Sequence, residues 1–157
     1  MTTTMRFNRL VEAAALALIL LLAGCASEPV AHKPGDDTAY EASNIAAAMV
    51  GKPYRYGGNS PNGFDCSGLV YYSYRHAGLA VPRSTATQRA RSHKVSLSHL
   101  SRGDLLFFDQ EGKYSSHVGI YLGGNRFVHA PSHGKHVRVD SLNEHYWQKH
   151  LVDARRF

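Results

Sequence analysis

The 157-residue chain predicts an α+β fold, with helices from its first half packed on an antiparallel sheet from its second. Three observations carry that expectation. Apolar residues ahead of Gly51 and between Phe64 and His76 fall at helical spacing. From Asp104 onward they gather in short runs rich in Val, Ile, Phe and Tyr, and Gly, Asn, Ser and Pro separate those runs. The length fits one domain, no repeat period is present, and two cysteines close at most one bridge, which excludes a disulfide-stapled mini-protein. With 18 Lys and Arg against 12 Asp and Glu the net charge is +6, compatible with nucleic acid, an anionic membrane or an acidic polymer.

Arg6 and Arg9 precede an apolar run, Ala13 to Leu22, too short to span a bilayer, which reads as a secretory signal. The run ends in Leu22-Ala23-Gly24-Cys25, which resembles a bacterial lipobox. Residues 1–24 are then expected to be cleaved and Cys25 to carry a lipid that anchors the chain to a membrane. The remaining chain keeps a charge of +5. Ala26 is not an acidic retention residue, so the expected location is the cell envelope, facing the periplasm, on the outer membrane. Residues 25–37, with two prolines and a glycine, read as a flexible tether, and residues 38–157 as the folded domain.

Within that domain a helix is expected over Thr38–Val50, stopped by Gly51 and Pro53, then a loop through Gly63. Asp65 caps a second helix that runs to about His76, and Ser84 caps a short third helix to about Arg91. Strands are expected over Asp104–Asp109, His117–Leu122, Arg126–Ala130 and His136–Val139.

Cys66 opens the second helix, where the aligned peptide dipoles favour a thiolate, while a small buried core residue is the rival reading. Alternation puts His117, Gly119 and Tyr121 on one strand face, and Phe127 and His129 share a face of the next. A three-residue loop, Gly123-Gly124-Asn125, pairs Leu122 with Arg126 and Gly119 with His129 and sets both histidines on one surface; a two-residue loop would separate them. The resulting arrangement is nucleophile Cys66, base His117 and orienting residue His129. A zinc site built from His129, His133, His136 and Cys66 is an alternative that no tight ligand spacing supports, and no cofactor is expected.

Five ordered blocks resemble the NlpC-type cell-wall cysteine peptidases, in particular their small lipoprotein murein endopeptidase form: Phe64-Asp65-Cys66-Ser67-Gly68-Leu69-Val70, Pro82-Arg83-Ser84, Gly103-Asp104-Leu105-Leu106-Phe107-Phe108, His117-Val118-Gly119-Ile120-Tyr121-Leu122-Gly123 and Phe127-Val128-His129-Ala130. The resemblance implies a papain-like fold and hydrolysis of peptide bonds in peptidoglycan. It implies Cys66, His117 and His129 as catalytic residues, Tyr56 with its hydroxyl beside the thiolate, and Asp65, Ser67 and Arg83 around the substrate pocket. Asp65 as a helix cap and Arg83 as a structural ion pair remain open. A non-catalytic peptidoglycan-binding lipoprotein and a zinc-dependent cell-wall amidase are the competing functions, and the dispersed basic residues argue against nucleic acid.

Overall fold

The computed structural model describes residues 34–110 and 112–157. The lipobox, the apolar run before it and residues 25–33 of the expected tether lie outside the described residues.

The first helix, α1 (Pro34–Ala48), begins before the expected Thr38. Residues 34–37, read as tether, are its first turn; Pro34 suits a helix start, where no partner for its missing N–H is needed. Ala39, Ala42, Ser43 and Ala46 are buried along one stripe, at helical spacing, and their small side chains let the helix backbone lie close to its neighbours. Arg102 ties α1 to the loop that ends at Asp104, donating to Ser43 Oγ at 3.1 Å and Asn44 Oδ1 at 2.7 Å.

A small two-stranded turn, β1 (Asn59–Ser60) with β2 (Gly63–Phe64), leads into α2 (Cys66–His76). Then come α3 (Thr85–Arg91), β3 (His93–Val95), a 3-10 turn (Leu97–His99), β4 (Leu105–Gln110), β5 (Lys113–Gly123), β6 (Arg126–His129), β7 (Arg138–Ser141), α4 (His145–His150) and β8 (Leu151–Arg156). Six strands form one antiparallel sheet in the order β3-β8-β4-β5-β6-β7. The α+β class is as the sequence predicts, but α4 lies after the strand run, and β3, α4 and β8 were not foreseen.

Alternation along the strands gives the sheet two buried faces. Leu105, Phe107, Val118, Ile120 and Val128 pack with Ala42, Leu69, Val70 and Tyr74 of α1 and α2. Leu106, Phe108, Tyr121 and Phe127 pack on the opposite side with Trp147 of α4. The expected faces of β5 and β6 are therefore observed.

The hairpin between them differs from expectation. Gly123 pairs with Arg126, so the loop has two residues, Gly124 and Asn125, both with positive φ as a tight hairpin turn requires. A register shift between Tyr121 and Gly123 leaves Leu122 as an extra residue, while Tyr121 faces Phe127 and Ile120 faces Val128. This bulge restores the alignment that a three-residue loop would have given, and both histidines end on one face.

Candidate active site

Asp65 caps α2, its Oδ1 accepting the Gly68 N–H at 2.6 Å while its Oδ2 accepts the Gly57 N–H at 3.0 Å. Arg83 grips the same carboxylate with two parallel bonds, Nη1 to Oδ1 at 2.9 Å and Nη2 to Oδ2 at 2.8 Å. It also donates to Ser67 Oγ at 3.0 Å and the Gly58 carbonyl at 3.1 Å. Helix cap and structural ion pair are thus both correct readings of Asp65 and Arg83, and with Ser67 they form one network around the first turn. A side chain at Gly68 would collide with the Gly58 carbonyl, so only glycine lets the loop lie this close to the helix start. From α3, Gln88 Nε2 donates to the Ser67 carbonyl at 2.9 Å and the Pro82 carbonyl at 2.8 Å, fixing that turn from behind.

Cys66 is a half-buried free thiol, with Sγ 3.7 Å from Thr85 Oγ1. Burial pushes the thiol up, and hydrogen bonds from Thr85 and from the backbone N–H of Val118 pull it back only in part. The Val118 contact docks the start of α2 directly on β5 beside His117.

His117 and His129 are buried, and their rings meet with His117 Nε2 2.7 Å from His129 Nδ1. The other nitrogen of His129, Nε2, lies 3.0 Å from Asp140 Oδ2. That oxygen also accepts from Arg138 Nε at 3.1 Å, Arg138 Nη2 at 2.7 Å and Trp147 Nε1 at 3.1 Å. Trp147 covers both histidines, its ring centroid 5.9 Å from that of His117 and 5.0 Å from that of His129.

Burial, followed by the charge of the neighbouring His129, holds His117 well below the usual 6.5. Burial likewise lowers His129, against the opposing hydrogen bond to Asp140. Burial would raise the Asp140 carboxyl, but the bonds from His129 and Arg138 outweigh it and hold it well below the usual carboxylate range. A raised thiol and a lowered imidazole both favour the neutral forms. Desolvation thus opposes the helix-start dipole that the sequence offered in favour of a thiolate.

Cys66 stands where two hollows meet. One, of about 490 Å³, is bordered by Asp65, Ser67, Arg83 and Thr85; the other, of about 310 Å³, by His117, Gln110, Ala130 and Ser132. Tyr54 and Ser116 line both. Tyr56 is 89% exposed and borders only the first, so Tyr54, not Tyr56, flanks the sulfur on either side. The reason is local: the Tyr54 N–H bonds to the Lys135 carbonyl at 2.8 Å and Pro53 bridges to His136, which lays Tyr54 along the cleft and turns Tyr56 outward. Ser116 reaches the cleft through a bulge in β5, where Ser115 adopts a φ of 48° and its N–H bonds to Asp109 Oδ1 at 2.7 Å.

The alternative zinc set does not assemble. Among the described residues no group of three or more His, Cys, Asp or Glu could hold a metal, and both ring nitrogens of His129 are already engaged. Sequence reasoning missed Tyr54, Thr85, Asp140 and Trp147. The expected fourth strand stopped at Val139, one residue short of Asp140; the Tyr-Arg-Tyr repeat offered Tyr54 beside Tyr56, and Trp147 was the chain's single tryptophan.

The family model described as the NlpC/P60 family matches residues 51–156. The murein DD-endopeptidase MepH of Escherichia coli is 44% identical over 121 residues, covering 73% of this chain and 44% of that protein. The murein DD-endopeptidase MepS/murein LD-carboxypeptidase of the same species is 47% identical over 111 residues, 70% of this chain and 58% of its own length. The chain spans about half the length of the curated relatives it matches. Among solved structures, a lipoprotein-like NLP/P60 family protein of Staphylococcus aureus superposes with a TM-score of 0.68 at 38% identity, covering 84% of this chain and 44% of that one. The NlpC/p60 domain of the peptidoglycan hydrolase SagA gives 0.63 at 35% identity, covering 76% and 97%.

Proposed function

Since the chain belongs to the NlpC/P60 family, we propose that it is a cysteine peptidase that hydrolyses peptide bonds in peptidoglycan stems or cross-links, anchored to the cell envelope by lipid on Cys25. The observation that carries the enzymatic reading is the meeting of a helix-start thiol and a buried histidine pair at one cleft. His117 binds His129 through Nε2, which leaves Nδ1 to take the thiol proton. The sulfur attacks the amide carbonyl, and the oxyanion is received by the backbone N–H of Cys66 at the start of α2, where no intrahelical acceptor exists. His117 then gives its proton to the leaving amine, and a water, activated by the same nitrogen, hydrolyses the thioester. Hollows on both sides of Cys66 leave room for chain on either side of the scissile bond. Arg83 and Ser67 border one of them, their Nη and hydroxyl hydrogens held by Asp65, Ser67 Oγ and the Gly58 carbonyl, so they shape that hollow for a stem peptide.

The test is digestion of purified sacculi by the wild-type protein and by Cys66→Ala, with muropeptides read by mass spectrometry. New amine and carboxyl ends are expected with the wild type alone, and their masses identify the bond. Equal cleavage by Cys66→Ala overturns the reading. Lipid attachment is tested separately: a fatty-acid label incorporated by the wild type and lost in Cys25→Ser supports the anchor, and label retained in that variant overturns it.

A further inference from the structure

We infer that Asp140 is a positioning residue that dictates, through His129, which nitrogen of His117 is free to act as the base. The inference rests on the hydrolase reading above for its kinetic consequence, though the proton positions can be read without turnover.

The argument is one of hydrogen-bond polarity. An ionised carboxylate can only accept, so the nitrogen of His129 that faces Asp140 Oδ2 at 3.0 Å, Nε2, holds a proton. A neutral imidazole has one N–H, so His129 Nδ1 is a lone pair. His117 Nε2 lies 2.7 Å from that lone pair and must be the donor. His117 Nδ1 is then the lone pair, on the nitrogen not tied to His129. Reversing the first bond would reverse every later one and leave His117 with its proton on Nδ1, unable to take another from Cys66.

The fold builds this relay deliberately close. On the sheet Asp140 faces Phe127 and Arg138 faces His129, so carboxylate, guanidinium and imidazole share one face. Trp147 seals it, and low dielectric strengthens each bond. Three donors, from His129, Arg138 and Trp147, converge on the single atom Oδ2. An asparagine here would turn its carbonyl oxygen to that spot and its NH2 away. Asp140→Asn therefore keeps the proton order and removes only the charge, whereas Asp140→Leu removes both. The charged and titratable groups facing the pair are Arg138 and Asp140 of β7, Glu144 ahead of α4 and Cys66 of α2; β4 contributes the uncharged Phe108. Asp140 raises the histidines and Arg138 lowers them.

The experiment combines nitrogen NMR of isotope-labelled histidines with kcat, KM and the pH profile of muropeptide cleavage, for the wild type, Asp140→Asn, Asp140→Leu and Arg138→Ala. The wild type should have both histidines protonated on Nε2. Asp140→Asn should keep that pattern, lose about tenfold or more in kcat with KM little changed, since Asp140 does not line the hollows around Cys66, and move the acid limb to lower pH. Arg138→Ala should move the acid limb to higher pH. Asp140→Leu should mix the tautomers and cost roughly 10²- to 10⁴-fold in kcat, the range in which a wrong tautomer disables a histidine base. A wild type with His129 protonated on Nδ1 overturns the inference. So does a folded Asp140→Leu variant that keeps both histidines protonated on Nε2 with kcat unchanged, and the wild-type tautomers decide the matter even if that variant does not fold. Cleavage undiminished in Cys66→Ala would sink the hydrolase reading and leave the tautomer result standing.

Discussion

Arg83 illustrates how one side chain shapes a turn at the edge of the cleft. Its fork closes on Asp65 while the same guanidinium reaches Ser67 and borders the cleft. Arg83 is partly open to water but Asp65 is largely buried, so loss of the pair should lower thermal stability measurably. Arg83→Ala should also lower kcat/KM, and Arg83→Lys should not restore it, because an ammonium cannot make two parallel bonds to one carboxylate. Steady-state kinetics beside a melting curve checks this; full rescue by Lys would contradict it. The two tyrosines make a second comparison. Tyr54 lines both hollows and Tyr56 is almost wholly exposed, so Tyr54→Ala should reduce kcat/KM more than Tyr56→Ala, and the reverse order would refute the assignment.

At the scale of elements, the β5–β6 hairpin decides whether the histidines can meet. Gly119 makes it possible: a Cβ there would come within 2.6 Å of the buried Phe127 ring, which cannot move aside. Gly119→Val should cost about 1–3 kcal/mol as an overpacked core position and disturb His129 two residues from Phe127. Urea unfolding measures the first effect and cleavage the second; a variant as stable as wild type contradicts it. The faces of these strands were legible because alternation survives local irregularity. The bulge at Leu122 was not, since a two-residue turn plus one extra residue and a three-residue loop align the same side chains. The strand β8 was hidden for another reason. It sits between β3 and β4, yet Asp153, Arg155 and Arg156 on it are held in ion pairs, Arg89 to Asp153 at 2.7 Å and Arg156 to Asp104 at 2.6 Å. Charge buried by pairing leaves no apolar pattern to read. Asp140 escaped notice likewise: its role depends on β7 lying beside β6, a long-range pairing that no local spacing encodes.

For the molecule as a whole, burying two histidines and one carboxylate in a single network ties stability to pH. The folded chain holds His117 and His129 below their usual 6.5, so the unfolded chain takes up their protons first as the pH falls. Their contribution is complete above about pH 6.5 and is lost as the pH drops through the lowered folded values; Asp140, also lowered, adds a loss of the same sign at more acidic pH. Unfolding free energy measured from pH 7.5 to 4.5 should therefore decline, and His129→Gln should flatten the decline; an equal slope in that variant would contradict the origin assigned to it. The same desolvation favours the neutral forms of Cys66 and His117, and the central claim of the proposed function is a chemistry carried by the Cys66 thiol. Alkylation tests it most directly: iodoacetamide-treated protein is digested, the adducts are located by mass spectrometry, and residual muropeptide cleavage is compared with that of protein treated with a chelator. The account predicts loss of activity in proportion to the adduct on the peptide containing Cys66, with no loss from the chelator. Full activity after complete modification of Cys66, or abolition by the chelator alone, would contradict it.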